Sequence, residues 1–205
     1  HAMIATTQGF DCAPLVRVVD HAPANVKVAL DLGAEGIVFP LVKTVEDAKA
    51  CVASTRYPPE GTRGWGPFIS HSRWGVEPFD YLPQLGDKIV CCILIETAEA
   101  LDVVDEIFAL DGVDMAFVAP FDLSTSLGLS GQFDHPEFRA AVEKIEAAAK
   151  AANMPLGGGA LADSQERVRA LRASGYRIFA DFDVLQLKRA APRLLADVAA
   201  IQADG

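Results

Sequence analysis

At 205 residues, 51% of them hydrophobic, the chain is long enough for one domain with a sizeable core. Its formal net charge of −10, uninterrupted by any basic stripe, repels phosphate polymers and argues against a nucleic-acid partner. No apolar run approaches the roughly 20 residues that span a bilayer, and no charged leader with a cleavage site opens the chain, so a cytoplasmic protein with no membrane partner is expected.

In chain order, short apolar runs alternate with helical patterns. Residues 15–18 predict a strand, and 24–32 a helix with Val28, Ala29 and Leu32 on its apolar face and Gly33 as its stop. A second strand follows at 36–40. Thr44-Val45-Glu46-Asp47 resembles a capping box, with Asp in the place of Glu, and opens a helix to about Thr55. The segment 56–87 begins with turn chemistry, Tyr57-Pro58-Pro59-Glu60-Gly61, and is too long for an ordinary connector. Its Arg63, His71, Arg73 and Trp74 are of the types enriched in subunit contacts, which is the role expected of them. A strand over 88–95, one helix over 98–110 and a strand over 115–119 come next. Pro136 in a first helical turn opens a helix to about Ala152, which His135 helps to start. A strand at 156–160, a helix between Ser164 and Gly175, a strand at 177–180 and a last helix over 183–201 complete the pattern. Gly157-Gly158-Gly159 lacks the frame of a phosphate loop and reads as close packing inside a strand. The cysteines, Cys12, Cys51, Cys91 and Cys92, have no C-x-x-C spacing and read as packing residues in a reducing compartment.

Continuously apolar strands imply burial on both faces, hence a parallel α/β sheet covered by helices, either doubly wound or closed into a barrel. Two strands stop on acids: Ile93-Leu94-Ile95-Glu96 and Val118-Ala119-Pro120-Phe121-Asp122. Consecutive β-α units leave a parallel sheet by one edge, so Glu96 and Asp122 would face one small volume, half of a hard-cation site. Acids also favour helix starts, and a capping role is the alternative for both. Arg17 could likewise pair with Asp20 or Asp31.

These residues resemble a known family. Glu35-Gly36-Ile37-Val38-Phe39-Pro40, Tyr57-Pro58-Pro59-Glu60-Gly61-Thr62-Arg63-Gly64, Ser72-Arg73-Trp74, Ile95-Glu96-Thr97, Asp111-Gly112-Val113-Asp114 and Pro120-Phe121-Asp122-Leu123-Ser124 occur in the order and spacing of the HpcH/HpaI aldolases, relatives of the citrate-lyase β-subunit. The resemblance covers nearly the whole chain. It implies a (β/α)8 TIM barrel in one domain, of which residues 1–205 begin just before the third strand, so that the first two strands are missing. It implies a class II pyruvate aldolase, a carbon-carbon lyase that cleaves or forms 4-hydroxy-2-oxo acids from a pyruvate-like oxo acid and an aldehyde through a pyruvate enolate. Glu96 and Asp122 then map onto the metal ligands, for Mg2+, Mn2+ or Co2+, and Arg17 onto the residue that stabilises the enolate. The family's Asp-x-Glu-His segment, which carries its acid/base, has no match in this sequence. A homo-oligomer is implied as well, a hexamer or trimer of dimers with the last helix exchanged between subunits.

Leu94 stands where many members carry Gln, and Phe121 where Ala is common before the metal Asp. Both make the site more apolar, and with Ser124 they are the candidate substrate-binding residues. Two alternatives follow from these departures: a citrate-lyase-like enzyme cleaving a C–C bond in an acyl-CoA, and a non-catalytic oxo-acid-binding or structural barrel.

Overall fold

Six parallel strands form one sheet in the order of the chain. They are β1 (Leu15–Arg17), β2 (Gly36–Phe39), β3 (Val90–Ile95), β4 (Met115–Val118), β5 (Leu156–Leu161) and β6 (Tyr176–Ala180). The computed structural model describes residues 1–161 and 163–203. Helices α1 (Ala2–Ala5), α2 (Pro23–Asp31), α3 (Val45–Thr55), α4 (Ser70–Arg73), α5 (Tyr81–Leu85), α6 (Ala98–Asp102), α7 (Val104–Phe108), α8 (Pro120–Ser126), α9 (Pro136–Ala151), α10 (Gln165–Ala173) and α11 (Asp183–Ala203) connect and follow the strands. None of the described helices is long and apolar enough to cross a membrane.

The strand order decides between the two architectures the sequence left open. Parallel crossovers are right-handed, so strands added in one direction put every connecting helix on the same face. A doubly wound sheet needs a reversal of order, and there is none here. The sheet is therefore a curled half-barrel with its helices outside.

The register separates its two faces. Phe39, Ile93, Ala116, Leu156 and Tyr176 are successive Cα partners, all buried in the core that the helices cover. Val26 and Leu30 of α2, Cys51 of α3, Ile107 of α7 and Ile145 of α9 meet them there. On the inner face, Arg17, Val38, Cys92 and Met115 form one row and Leu94, Phe117, Gly157 and Ile178 the next. Cys91 and Cys92 thus point to opposite faces, as strand alternation requires. No disulfide links the four thiols; Cys12 is exposed and the other three are buried. Gly157 sits in the register shift between β5 and β6, where a Cβ would stand 2.8 Å from the Phe117 ring, which is the close packing expected of the triple glycine.

Most local signals hold. Thr44 accepts from the Asp47 N–H at 3.0 Å while Asp47 accepts from the Thr44 N–H at 3.0 Å, a complete capping box. Ser164 caps α10, and the His135 ring accepts from the Glu137 N–H at the start of α9.

Three expectations are corrected. The single helix over 98–110 is two, broken at Val103 (φ −116°, ψ 17°), a turn that brings Val104 and Ile107 fully into the core. The strand expected from Lys88 starts at Val90, because a 3-10 turn takes Gly86–Lys88. Arg63 is not a surface contact. Its side chain is fully buried, bonded to Asp31 at 3.0 Å and stacked 4.6 Å from the Tyr57 ring centre, and it ties the long loop to α2. Arg73 does the same from α4, donating to the Leu32 carbonyl at 3.0 Å.

The capping box makes a stability prediction. Burial works against the Asp47 charge, yet hydrogen bonds from Lys43 and Thr44 hold its carboxyl below the usual range. A depressed carboxyl stabilises above the unfolded-state pKa and ceases to do so as pH falls through the folded one. Thr44→Ala is expected to cost about 1 kcal/mol in urea unfolding at pH 7. Asp47→Asn is expected to destabilise at pH 7 and to converge on the parent as the pH falls below the ordinary carboxylate range and through the depressed Asp47 value; a penalty independent of pH contradicts the assignment.

Candidate active site at the carboxyl ends of the strands

Glu96 is the first residue beyond β3. The helix that follows is capped by Thr97, whose hydroxyl accepts from the Ala100 N–H at 3.1 Å, so Glu96 is not needed as a cap. Its carboxylate turns instead to the neighbouring connection, where Oε1 accepts the Leu41 N–H at 2.6 Å. Glu96 is 3% exposed. Leu41 makes this bond from the left-handed region, at φ 58°, which costs a non-glycine residue about 1–2 kcal/mol. Strain of that kind persists where the surrounding structure demands it.

Asp122 arrives from β4. Ala119 donates to the Ile95 carbonyl at 3.2 Å, which keeps the two chains side by side just past the sheet. Pro120 then opens α8, and Asp122 lies in its first turn. No side chain caps α8 by a hydrogen bond, although Asp122 is the acid of its first turn, where a negative charge suits the helix N-terminus. Arg17 ends β1 on the inner face and, among the described residues, enters no ion pair within 4 Å; Asp20 bonds Asn25 and Ala22, and Asp31 bonds Lys27 and Arg63.

Electrostatics join the three residues. Burial pushes the Glu96 carboxyl up from its ordinary value and the Asp122 charge adds to this, while the Leu41 N–H and the Arg17 guanidinium oppose it. Two carboxylates that repel each other in a partly dry site suit a divalent cation. Among the described residues no group of three His, Cys, Asp or Glu side chains that could hold a metal ion exists, so at this edge the acidic groups on offer are these two.

Around the pair the surface is apolar. Leu94, 6% exposed, lies one inner-face position below Glu96 and beside Phe117. Phe121 is 59% exposed and lines a cavity of about 280 Å³ together with Asp122, Phe117, Phe133 and Phe182. Ser124 is placed elsewhere. It is fully buried, its hydroxyl donating to the Phe121 carbonyl at 3.0 Å and accepting from Gly131 N–H at 3.1 Å, which pins the loop after α8. Sequence reasoning missed Leu41, whose contribution is a backbone N–H at an angle its side chain does not signal. It also missed Phe133 and Phe182, which reach the cavity from separate connections.

The profile of the HpcH/HpaI aldolase/citrate lyase family matches residues 1–188. The chain is 37% identical over 196 residues to the hydroxypyruvate/pyruvate aldolase of Chromohalobacter salexigens, covering 93% of this chain and 74% of that protein. It is 39% identical over 163 residues to the 4-hydroxy-2-oxo-heptane-1,7-dioate aldolase of Salmonella paratyphi B, covering 77% of this chain and 62% of the relative's length. Among solved structures, an HpcH/HpaI aldolase/citrate lyase family protein from Burkholderia cenocepacia J2315 superposes with a TM-score of 0.83 at 33% identity, over 96% of this chain and 79% of that one.

The bond from Leu41 carries a prediction. Proline at this position removes the N–H and cannot hold a positive φ, whereas glycine keeps the donor and relieves the strain. With hydrogen bonds to charged groups worth roughly 1.5–3 kcal/mol, Leu41→Pro is expected to weaken Mn2+ binding at least tenfold in calorimetry while Leu41→Gly binds as the parent does. Equal affinity in all three proteins contradicts a positioning role for the Leu41 N–H.

Proposed function

The chain belongs to the HpcH/HpaI aldolase/citrate lyase family, and from that premise we propose that it is a metal-dependent aldolase that forms or cleaves 4-hydroxy-2-oxo acids through the enolate of a pyruvate-like oxo acid. The observation that supports the reading is the buried Glu96 carboxylate held against the charge of Asp122, with the opposing charge of Arg17 acting on Glu96.

Glu96 and Asp122 would hold the cation, and their oxygen donors favour Mg2+ or Mn2+ without excluding Co2+. Bound there, a divalent ion supplies Lewis-acid polarisation of the keto group. The chain's own residues do the rest. Arg17, free of other carboxylates among the described residues, opposes the negative charge that grows on the keto oxygen as a C3 proton leaves. The Leu41 N–H fixes the Glu96 carboxylate before substrate arrives, so no reorganisation is needed during the step. Leu94 and Phe117 keep the floor of the site dry, which strengthens each of these charge interactions.

Two further features belong to the same reading. The six strands are taken as part of an eight-stranded barrel, whose active sites lie at the carboxyl ends of the strands. The exposed apolar residues of α11, Leu187, Leu194, Leu195 and Ile201, are taken as the contact of a homo-oligomer.

Proton exchange at the pyruvate methyl group tests the reading without any assumption about the aldehyde. In D2O with Mn2+, loss of the methyl signal is expected to be catalysed, abolished by EDTA and by Glu96→Ala, and slowed by a factor on the order of 100 in Arg17→Ala. Exchange that survives EDTA or Glu96→Ala contradicts the metal pair; no exchange in a protein that binds Mn2+ and pyruvate favours a non-catalytic barrel.

A further inference from the structure

We propose that the acceptor taken by this site is an apolar aldehyde, aromatic in its best form, received by the phenylalanine-lined cavity beside Asp122. This inference rests on the aldolase reading and names the partner that the reading leaves open.

The cavity shares a wall with the candidate metal pair, because Asp122 lines it. Five rings from five parts of the chain line it: Phe117 of β4, Phe121 of α8, Phe133 of the α8–α9 connection, Phe138 of α9 and Phe182 after β6. Phe121 and Phe133 are set edge to face, with centroids 4.9 Å apart and planes at 90°, the arrangement in which one ring's edge meets another's face. A third ring bound beside them extends the same packing. Phe121 and Phe182 are 59% and 55% exposed in the described half-barrel, with room beside both rings. Large exposed aromatics gathered round a concavity mark a binding surface, whereas scattered ones do not.

Size and charge narrow the occupant. At about 280 Å³ the cavity lies just under the roughly 300–1,000 Å³ of ordinary small-molecule pockets, enough for one ring and too little for a nucleotide-sized group such as that of an acyl-CoA. Arg167 is the one cation among the described lining residues, and it is paired with Asp163 at 3.5 Å. An acceptor ending in a carboxylate would compete with Asp163 for that guanidinium and pass the Asp122 charge to reach it. An uncharged ring meets neither obstacle. Gly158 keeps the space open: its φ is 75°, and a Cβ there would stand 2.5 Å from the Phe117 ring.

The step balances without an oxidant or reductant. C3 of the oxo acid gives one proton to water and bonds to the aldehyde carbon; the carbonyl π pair moves to the aldehyde oxygen, which takes one proton back from water, so no proton is gained or lost overall. The product is a 4-aryl-4-hydroxy-2-oxobutanoate.

The test uses the Mn2+-loaded full chain with pyruvate and compares benzaldehyde with succinic semialdehyde, a short aldehyde ending in a carboxylate. The expected result is a kcat/KM at least about tenfold higher for benzaldehyde, and a fall of about tenfold in that ratio in both Phe121→Ala and Phe182→Ala. Both positions are more than half exposed in the described half-barrel, and circular dichroism of each variant separates a folding defect from a change in selectivity. Equal or better use of the semialdehyde, or a ratio that neither substitution moves, overturns the proposal. A second readout is independent of turnover: saturation-transfer NMR of benzyl alcohol, expected to show contact in the parent and its loss in both variants. Aromatic binding without pyruvate exchange supports the cavity and sinks the aldolase reading. Exchange without aromatic binding does the reverse.

Discussion

Two carboxylates are held close together in a partly dry place, and the structure is arranged around what that costs. The in-register pairing of β3 with β4, carried past the sheet by the bond from Ala119 to Ile95, brings Glu96 and Asp122 to one edge. Burial raises the Glu96 pKa, and the Asp122 charge raises it further. The protein opposes that with two positive elements from strands on the other side: the Leu41 N–H after β2 and the Arg17 guanidinium at the end of β1. Each is a fixed dipole or charge that favours the ionised form, and both still leave Glu96 with a raised pKa. On the proposed function, a divalent cation would supply what remains, and would do so best if the carboxylates were already oriented.

The sequential strand order makes this arrangement possible. Because β1, β2, β3 and β4 are neighbours in that order, the connections after them converge on one rim. A doubly wound sheet with the same strands would scatter Arg17 and Asp122 to either side of a switch point. The remote parts of the chain serve this rim indirectly. Arg63 and Arg73 lock the long loop against α2, and Arg56 binds the Ile89 carbonyl at 2.7 Å just before β3 begins. The loop therefore fixes where β3 starts, and so where Glu96 ends up.

What was legible in the sequence is what composition and period can carry. The six strands are short apolar runs, buried most fully in β2 and β3, and such runs announce themselves; the acids at the ends of two of them stand out for the same reason. Thr44 with Asp47, Ser164, and Pro136 behind His135 mark helix starts because each satisfies backbone donors or tolerates the lack of one. Three things were not legible. Leu41 adopts a left-handed backbone that nothing in its side chain invites, since the demand comes from Glu96, 55 residues away. Arg63 looks like a surface residue by type, and only the two tyrosine rings and Asp31 around it make burial tolerable. The aromatic cavity joins residues 117, 121, 133 and 182, whose separations follow no helix or strand period.

The two departures from the family pattern belong together. Leu94 lies below Glu96 on the inner face and takes away a polar neighbour, which leaves the Leu41 N–H as the described hydrogen bond to that carboxylate. Phe121 adds an apolar wall on the Asp122 side. One removes a group that would orient a polar ligand; the other adds a surface that rewards an apolar one. Both lower the local dielectric, so the attraction of the acid pair for a cation grows while its tolerance for a second anion falls. On the proposed function, a site changed in this direction would keep the chemistry assigned to the carboxylates and Arg17 and would shift the selection of its partner from charge to shape. The selectivity then resides in the rings of Phe121 and Phe182, which stand at the surface where sequence can change without disturbing the core.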